Sequence, residues 1–187
     1  MGRSPNNVEN VSGAKPKATG AINIAKLGTP VPADGIAALD PSFENCGYVS
    51  EDGLTTMPKR SSNTTKAWGG DTVMDEQTEF SDGCSFTLIE SNVTTLGLVF
   101  GENNVTLSPG GIAIIHNSDS LPPVAMVIEM LMSGDRVRRI EYPHAKVSEV
   151  GDIVFKDSDP IGYQLTIKAL PDASGNTAYE YIAKIAE

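Results

Sequence analysis

The sequence predicts a mainly β domain: two packed antiparallel sheets, sandwich- or barrel-like, with one short flanking α-helix and a long N-terminal arm and loops. Three observations carry this. From residue 70 onward, apolar runs of strand length follow one another between turns rich in Gly, Pro, Asn and Asp. Only residues 91–101 carry helical spacing. The 187 residues suit one ordinary domain that buries a core without disulfides or metals.

Residues 1–20 are polar and predict a flexible arm holding Arg3, Lys15 and Lys17, ahead of a single domain over 21–187. Residues 21–27 alternate weakly, as a short strand would. Gly28-Thr-Pro-Val-Pro-Ala-Asp-Gly35 is a loop, and residues 36–39 predict a helical turn that stops at Pro41. Residues 41–70 hold Phe43, Tyr48, Leu54 and Trp68 but no sustained periodicity. They predict a long irregular loop of the kind that is functional or is ordered by a partner.

Residues 73–80 and 84–90 flank Ser81-Asp82-Gly83, a three-residue hairpin signal. With Phe80 opposite Cys84 the faces sort. Met74, Thr78, Phe80, Cys84, Phe86 and Leu88 share one face. Asp75, Gln77, Glu79, Ser85 and Thr87 share the other, which is polar and acidic. In residues 91–101, Ser91 or Asn92 can cap a helix, Val93, Leu96 and Phe100 lie on one side, and Gly101 can end it. Strands are expected at 112–116, 124–132, 136–142, 145–155, 162–170 and 178–185. Turns fall at Ser133-Gly134-Asp135 and at 171–176, and Pro143 is read as a strand end.

Fourteen basic against 24 acidic residues leave a formal charge of −10, which excludes wrapping duplex DNA by phosphate neutralisation. The chain lacks an apolar run of membrane-spanning length, and its first residues lack a signal-peptide core. Cys46 and Cys84 read as reduced, partly buried thiols. His116 and His144 have no metal-ligand spacing, and no nucleophile, phosphate-loop or zinc motif occurs. No enzyme, cofactor or metal is therefore expected. Asp152, Asp157 and Asp159 read as a solvated loop. Arg136, Arg138 and Arg139 read either as a solvated strand or as ion-pairing partners of an acidic neighbouring subunit. Trp68, beside Gly69-Gly70, is either a core plug or an anchor on a partner.

Several runs together resemble the major tail tube protein of long, non-contractile-tailed bacteriophages. They are Gly47-Tyr-Val-Ser-Glu-Asp-Gly-Leu54, Lys66-Ala-Trp-Gly-Gly-Asp71 and Thr87-Leu-Ile-Glu-Ser-Asn92 with Phe100-Gly101. Leu27-Gly-Thr-Pro-Val-Pro-Ala-Asp34, Val147-Ser-Glu-Val-Gly-Asp152, Tyr179 and Tyr181 add to the likeness, which covers about residues 20–185. The resemblance implies a structural virion protein that self-assembles into hexameric rings. The rings stack into a tube around a tape measure protein, between tail-tip and tail-terminator proteins. It implies assembly in the host cytoplasm and passage of DNA without specific binding or a membrane. It also implies that the loop 41–70 and a terminal arm spanning residues 1–40 bridge subunits, so Tyr48, Glu51, Asp52, Leu54 and Trp68 join the three arginines as expected interface residues. Asp75, Gln77, Glu79, Ser85 and Thr87 are expected to face the lumen, where like charge keeps phosphates off the wall. The competing reading is a secreted or surface β-sandwich for binding or adhesion. An aromatic content of 6% and the missing signal segment weigh against it.

Overall fold

A computed structural model describes residues 6–185. Met1, Gly2 and Arg3 of the expected arm lie outside the described residues. The protein is mainly β, with two antiparallel sheets and one α-helix. The strands are β1 (Ala14–Pro16), β2 (Ile22–Lys26), β3 (Glu44–Asn45), β4 (Val49–Thr56), β5 (Lys59–Lys66) and β6 (Thr72–Leu88). After helix α1 (Val93–Phe100) come β7 (Val105–Ser108), β8 (Gly111–Ile114), β9 (Val124–Met132), β10 (Arg136–Val150), β11 (Tyr163–Ala169) and β12 (Tyr179–Lys184). The large sheet runs β3-β2-β9-β10-β11-β6-β4, with β1 beside β9, β12 beside β10 and β5 beside β6. β7 and β8 form a separate hairpin.

The expected turn at Ser133-Gly134-Asp135 joins β9 to β10, with positive φ at Gly134 and Asp135. Asn92 caps α1 by accepting from the Thr95 amide at 2.8 Å, and Gly101 ends it at φ 98°. Of the expected side, Leu96 is buried and Phe100 packs on the core, whereas Val93 faces outward; Thr95, Leu98 and Val99 are buried as well. Eight residues make a marginal helix alone, so this packing holds it.

Four expectations are overturned. The chain does not reverse at Ser81-Asp82-Gly83: β6 runs unbroken through it. The reversal lies at 67–71, where the Ala67 amide donates to the Asp71 carbonyl at 2.8 Å and Gly69 and Gly70 take positive φ. Correspondingly, 41–70 is mostly strand and not an irregular loop. β4 and β5 follow one another along the same edge of β6, with Thr56 opposite Cys84 and Lys59 opposite Ser81. Pro143 does not end a strand either. β10 continues past it with a register shift against β9 between Tyr142 and Ala145. There β10 also exchanges β12 for β11 on its other edge. The helical turn expected at 36–39 is absent: 33–37 form bends and 38–40 have no regular structure. In the expected arm, β1 is seated on β9, with Lys15 opposite Leu131.

Gly83 looks like a turn residue but serves a close approach. A Cβ there would overlap the Ile167 carbonyl of β11. The Gly83 carbonyl accepts from the Met57 amide at 2.8 Å and from the buried Tyr142 hydroxyl at 3.3 Å. One residue thus ties β4, β10 and β11 to β6. The main core gathers around it, with Ile22, Phe86, Leu88, Met126, Tyr142 and Leu165 all buried. On the opposite side of β9 and β10, Val127, Val137, Glu129 and Arg139 are also buried, so these central strands have no wet face there.

Gly83→Ala is expected to destabilise the protein by about 2–3 kcal/mol, because strand separation or overpacking must follow. Gly13→Ala, at a site with open space, is expected to stay within about 0.5 kcal/mol. Chemical denaturation of both variants measures the difference.

Candidate assembly surfaces

β6 has two halves with different surroundings. From Asp82 to Leu88 it lies between β11 and β4. From Thr72 to Ser81 only β5 accompanies it. Every residue from 62 to 80 is exposed, on both faces. The result is a freestanding two-stranded ribbon about 30 Å long. Bulges at two register shifts, between Ser61 and Ser62 and between Thr65 and Lys66, add twist. Its tip presents Trp68, fully exposed. Arg60 lies over the Phe80 ring at 4.5 Å and donates to Gln77 at 3.0 Å, which fixes the two strands at the ribbon's base.

The candidate lumen residues divide accordingly. Asp75, Gln77 and Glu79 stand on the ribbon. Ser85 and Thr87 stand in the body, half-buried, opposite Thr166 and Gln164 of β11. Their neighbours Cys84, Phe86 and Leu88 enter the core, so Ser85 and Thr87 belong to the sheet's polar face, as the alternation predicts. That face also carries Lys168, opposite Gly83, and Lys146, opposite Lys168. Sequence reasoning missed both lysines, since only the β10–β11 register brings them beside β6. Glu149, opposite Thr166, adds an acid there, and on the ribbon only Glu79 continues this face, because the register shift between Ser61 and Ser62 brings Asp75 and Gln77 to the side of Arg60 and Phe80.

The candidate interface residues fall into two groups. Tyr48 is exposed, its amide donating to Glu90 at 2.8 Å. Glu51 and Asp52 are exposed where the β4–β6 register shifts between Val49 and Leu54. Leu54, opposite Phe86, turns inward and packs on the core. Trp68 is at the tip, so the core-plug reading is excluded. On β10, Arg136 donates to the Glu9 carbonyl at 2.9 Å and Arg138 pairs with Glu180 of β12.

Arg139 does not belong with them: it is buried inside the protomer. It pairs with Glu129 at 2.8 Å and donates to the carbonyls of Asp34 and Ala37, each at 2.7 Å. Lys17 reaches the same Glu129 carboxylate at 3.0 Å. Glu141, also buried, completes the cluster. Burial pushes its carboxyl up to about 7, although the Arg139 charge draws it down. The signal for this cluster was legible. Glu129 interrupts the apolar run 124–132, and a hairpin turning at 133–135 places Arg139 directly opposite it.

Cys46 and Cys84 are buried and free, and desolvation pushes both thiols up to about 12. Among the described residues, no group of His, Cys, Asp and Glu could hold a metal ion, and no helix is long and apolar enough to cross a membrane. The surface offers strand edges, a projecting ribbon and an exposed aromatic tip. These are the means by which a structural protein meets other chains.

The phage tail tube protein family matches residues 6–186, nearly the whole chain, and the chain belongs to that family. This makes it a structural component of a bacteriophage tail. No curated protein matches the chain.

Neither thiol is expected to react with a thiol-specific alkylating reagent at neutral pH in the folded protein, and both are expected to react after denaturation. Mass spectrometry counts the adducts in each state.

Proposed function

We propose that this chain assembles into rings of six copies that stack into the tube of a long, non-contractile phage tail. The observation that supports this most is the freestanding ribbon ending in Trp68. An isolated protomer gains nothing from a two-stranded ribbon that buries neither face, since such hairpins are marginal in water. A neighbouring copy that receives the tip supplies the missing burial. A fully exposed Trp followed by Gly69-Gly70 is suited to be the anchor. Tyr48, Glu51 and Asp52, exposed at the foot of the same hairpin, and Arg136 and Arg138 on β10 complete the proposed contacts. Arg139 and Leu54 are left out, because Arg139 is buried and Leu54 packs on the core.

In the proposed tube, the polar face of β6 turns to the lumen. Glu79, Ser85 and Thr87 line it, Asp75 and Gln77 stand beside it on the ribbon, and the ribbon's carboxylates repel DNA phosphates so that the duplex slides. Lys146 and Lys168 stand on the same face nearer the body and moderate this charge. A tape measure protein fills the tube before DNA does, and tail-tip and tail-terminator proteins close its ends. Assembly takes place in the host cytoplasm. Tube formation needs no chemistry from the chain, so no catalytic residue is assigned.

Concentrated protein, alone or with tail-tip and tape measure proteins, is expected to give tubes of even width with six-fold end views in negative-stain microscopy. A chain that stays monomeric with those partners overturns the reading. Trp68, the sole tryptophan, reports the contact directly. Its emission is expected to be that of a solvated indole in the protomer and to shift to the blue on assembly. Trp68→Ala is expected to leave protomer stability within about 0.5 kcal/mol and to abolish assembly.

A further inference from the structure

Residues 27–43 lie against β10 and β12 as a strap without regular secondary structure. The strap touches β12 at buried Gly35, where an added Cβ would meet the Ala183 and Tyr181 side chains at 3.0 and 3.4 Å. Asp34 shapes its bend by accepting from the amides of Ile36 and Ala37, and these bonds hold its carboxyl below the usual range. What fastens the bend to the sheet is Arg139, whose two terminal nitrogens hold the carbonyls of Asp34 and Ala37.

Beneath lies an incomplete ion cluster. Glu141 is completely buried, and both its carboxylate oxygens lack a partner. The Nε of Arg139 is also buried without one. A buried carboxylate with no donor is costly as an anion and much less so as an acid. Every charged group facing Glu141 is accounted for on the elements around it. Arg139 stands on the same strand, Glu129 on β9, Asp34 on the strap, and Lys17 in the N-terminal segment against Glu129. Tyr179 lies opposite it on β12, with Tyr181 two residues on. The terminal nitrogens of Arg139 already hold Glu129 and the strap carbonyls, so ionised Glu141 has only the unpartnered Nε of the same guanidinium to turn to, and engaging it rotates the group that holds the strap.

We propose that Glu141 and Arg139 form a pH-sensitive latch for the strap: with Glu141 protonated the strap is closed, and loss of that proton draws the Arg139 guanidinium from the strap carbonyls and loosens residues 34–37. The latch belongs to the single protomer and stands whether or not the ring assembly does.

The direction follows from proton linkage. The closed state holds the Glu141 proton up to about pH 7, whereas an opened, solvated carboxyl releases it in the ordinary range. Closure is thus fully favoured below that ordinary range and weakens as pH rises toward 7, by up to about tenfold per pH unit, then levels off.

Hydrogen exchange of the full-length protein tests this, with protection at the Ile36 and Ala37 amides corrected for intrinsic exchange. Protection is expected to fall from pH 5 to pH 7 in the wild type. In Glu141→Gln, which cannot ionise, it is expected to be flat. The same slope in both proteins overturns the latch. Carboxyl NMR titration of wild-type Glu141 decides the matter if the variant does not fold. A midpoint near 7 supports the latch, and one in the ordinary glutamate range overturns it.

Discussion

The close passage of β11 over Gly83 is the constraint on which the rest of the fold depends. At that point β6 changes from a core strand, flanked on both edges, to one member of a ribbon with water on both faces. A strand cannot make that transition freely, because the ribbon acts as a lever on the sheet that roots it. The root is secured by backbone approach to Ile167, by the Met57 amide and Tyr142 hydroxyl on the Gly83 carbonyl, and by Thr177 donating to Asp82 at 3.0 Å. Any side chain at residue 83 would separate β6 from β11 and release all of these together. The body's rigidity and the ribbon's aim therefore come from the same few atoms.

The central hairpin β9–β10 solves a second problem, that of being covered on both sides. One side faces the main core through Met126, Ile128, Ile140 and Tyr142. The other side has too little chain above it for an apolar layer, since the strap contributes mainly backbone. Arg139 suits this situation. Its fork of donors can satisfy strap carbonyls that have no strand to pair with, while Glu129 balances its charge. Buried ion pairs rarely add stability over apolar packing, but they do specify an arrangement. Here the arrangement specified is the path of residues 27–43.

Where sequence and structure agree, burial imposed a period on the residues. The strands from β9 to β12, the Asn92 cap and the 133–135 turn were legible because one face of each strand is apolar, or because the turn chemistry is local. The failures have the opposite cause. β5 reads Lys-Arg-Ser-Ser-Asn-Thr-Thr-Lys, which has no alternation because neither of its faces is buried in the protomer. Ser81-Asp82-Gly83 carries turn-like residues for tertiary reasons: Gly83 for close approach and Asp82 to receive Thr177. Pro143 sits where β10 exchanges neighbours, a place defined only by strands distant in sequence. Arg139 was grouped with Arg136 and Arg138 by proximity in sequence. Strand alternation separates it from them, placing it beside Glu129 under the strap.

In the proposed assembly the ribbon must attach to a neighbour without pairing indiscriminately. A long exposed strand pair invites indiscriminate pairing along its free edge. β5 counters this with Lys59, Arg60 and Lys66 and carries no acid, whereas Asp75, Glu76 and Glu79 load the facing stretch of β6. Two ribbons approaching by their β5 edges therefore repel, and an acidic surface is preferred to a copy of the same edge. Apolar contact is confined to scattered side chains such as Val73 and Met74 and, at the tip, to Trp68. In the proposed assembly, placing the largest apolar side chain at the far end makes attachment depend on reaching a matching pocket. Charge along the shaft excludes the nearer alternatives, so specificity in this surface comes from what it repels as much as from what it binds.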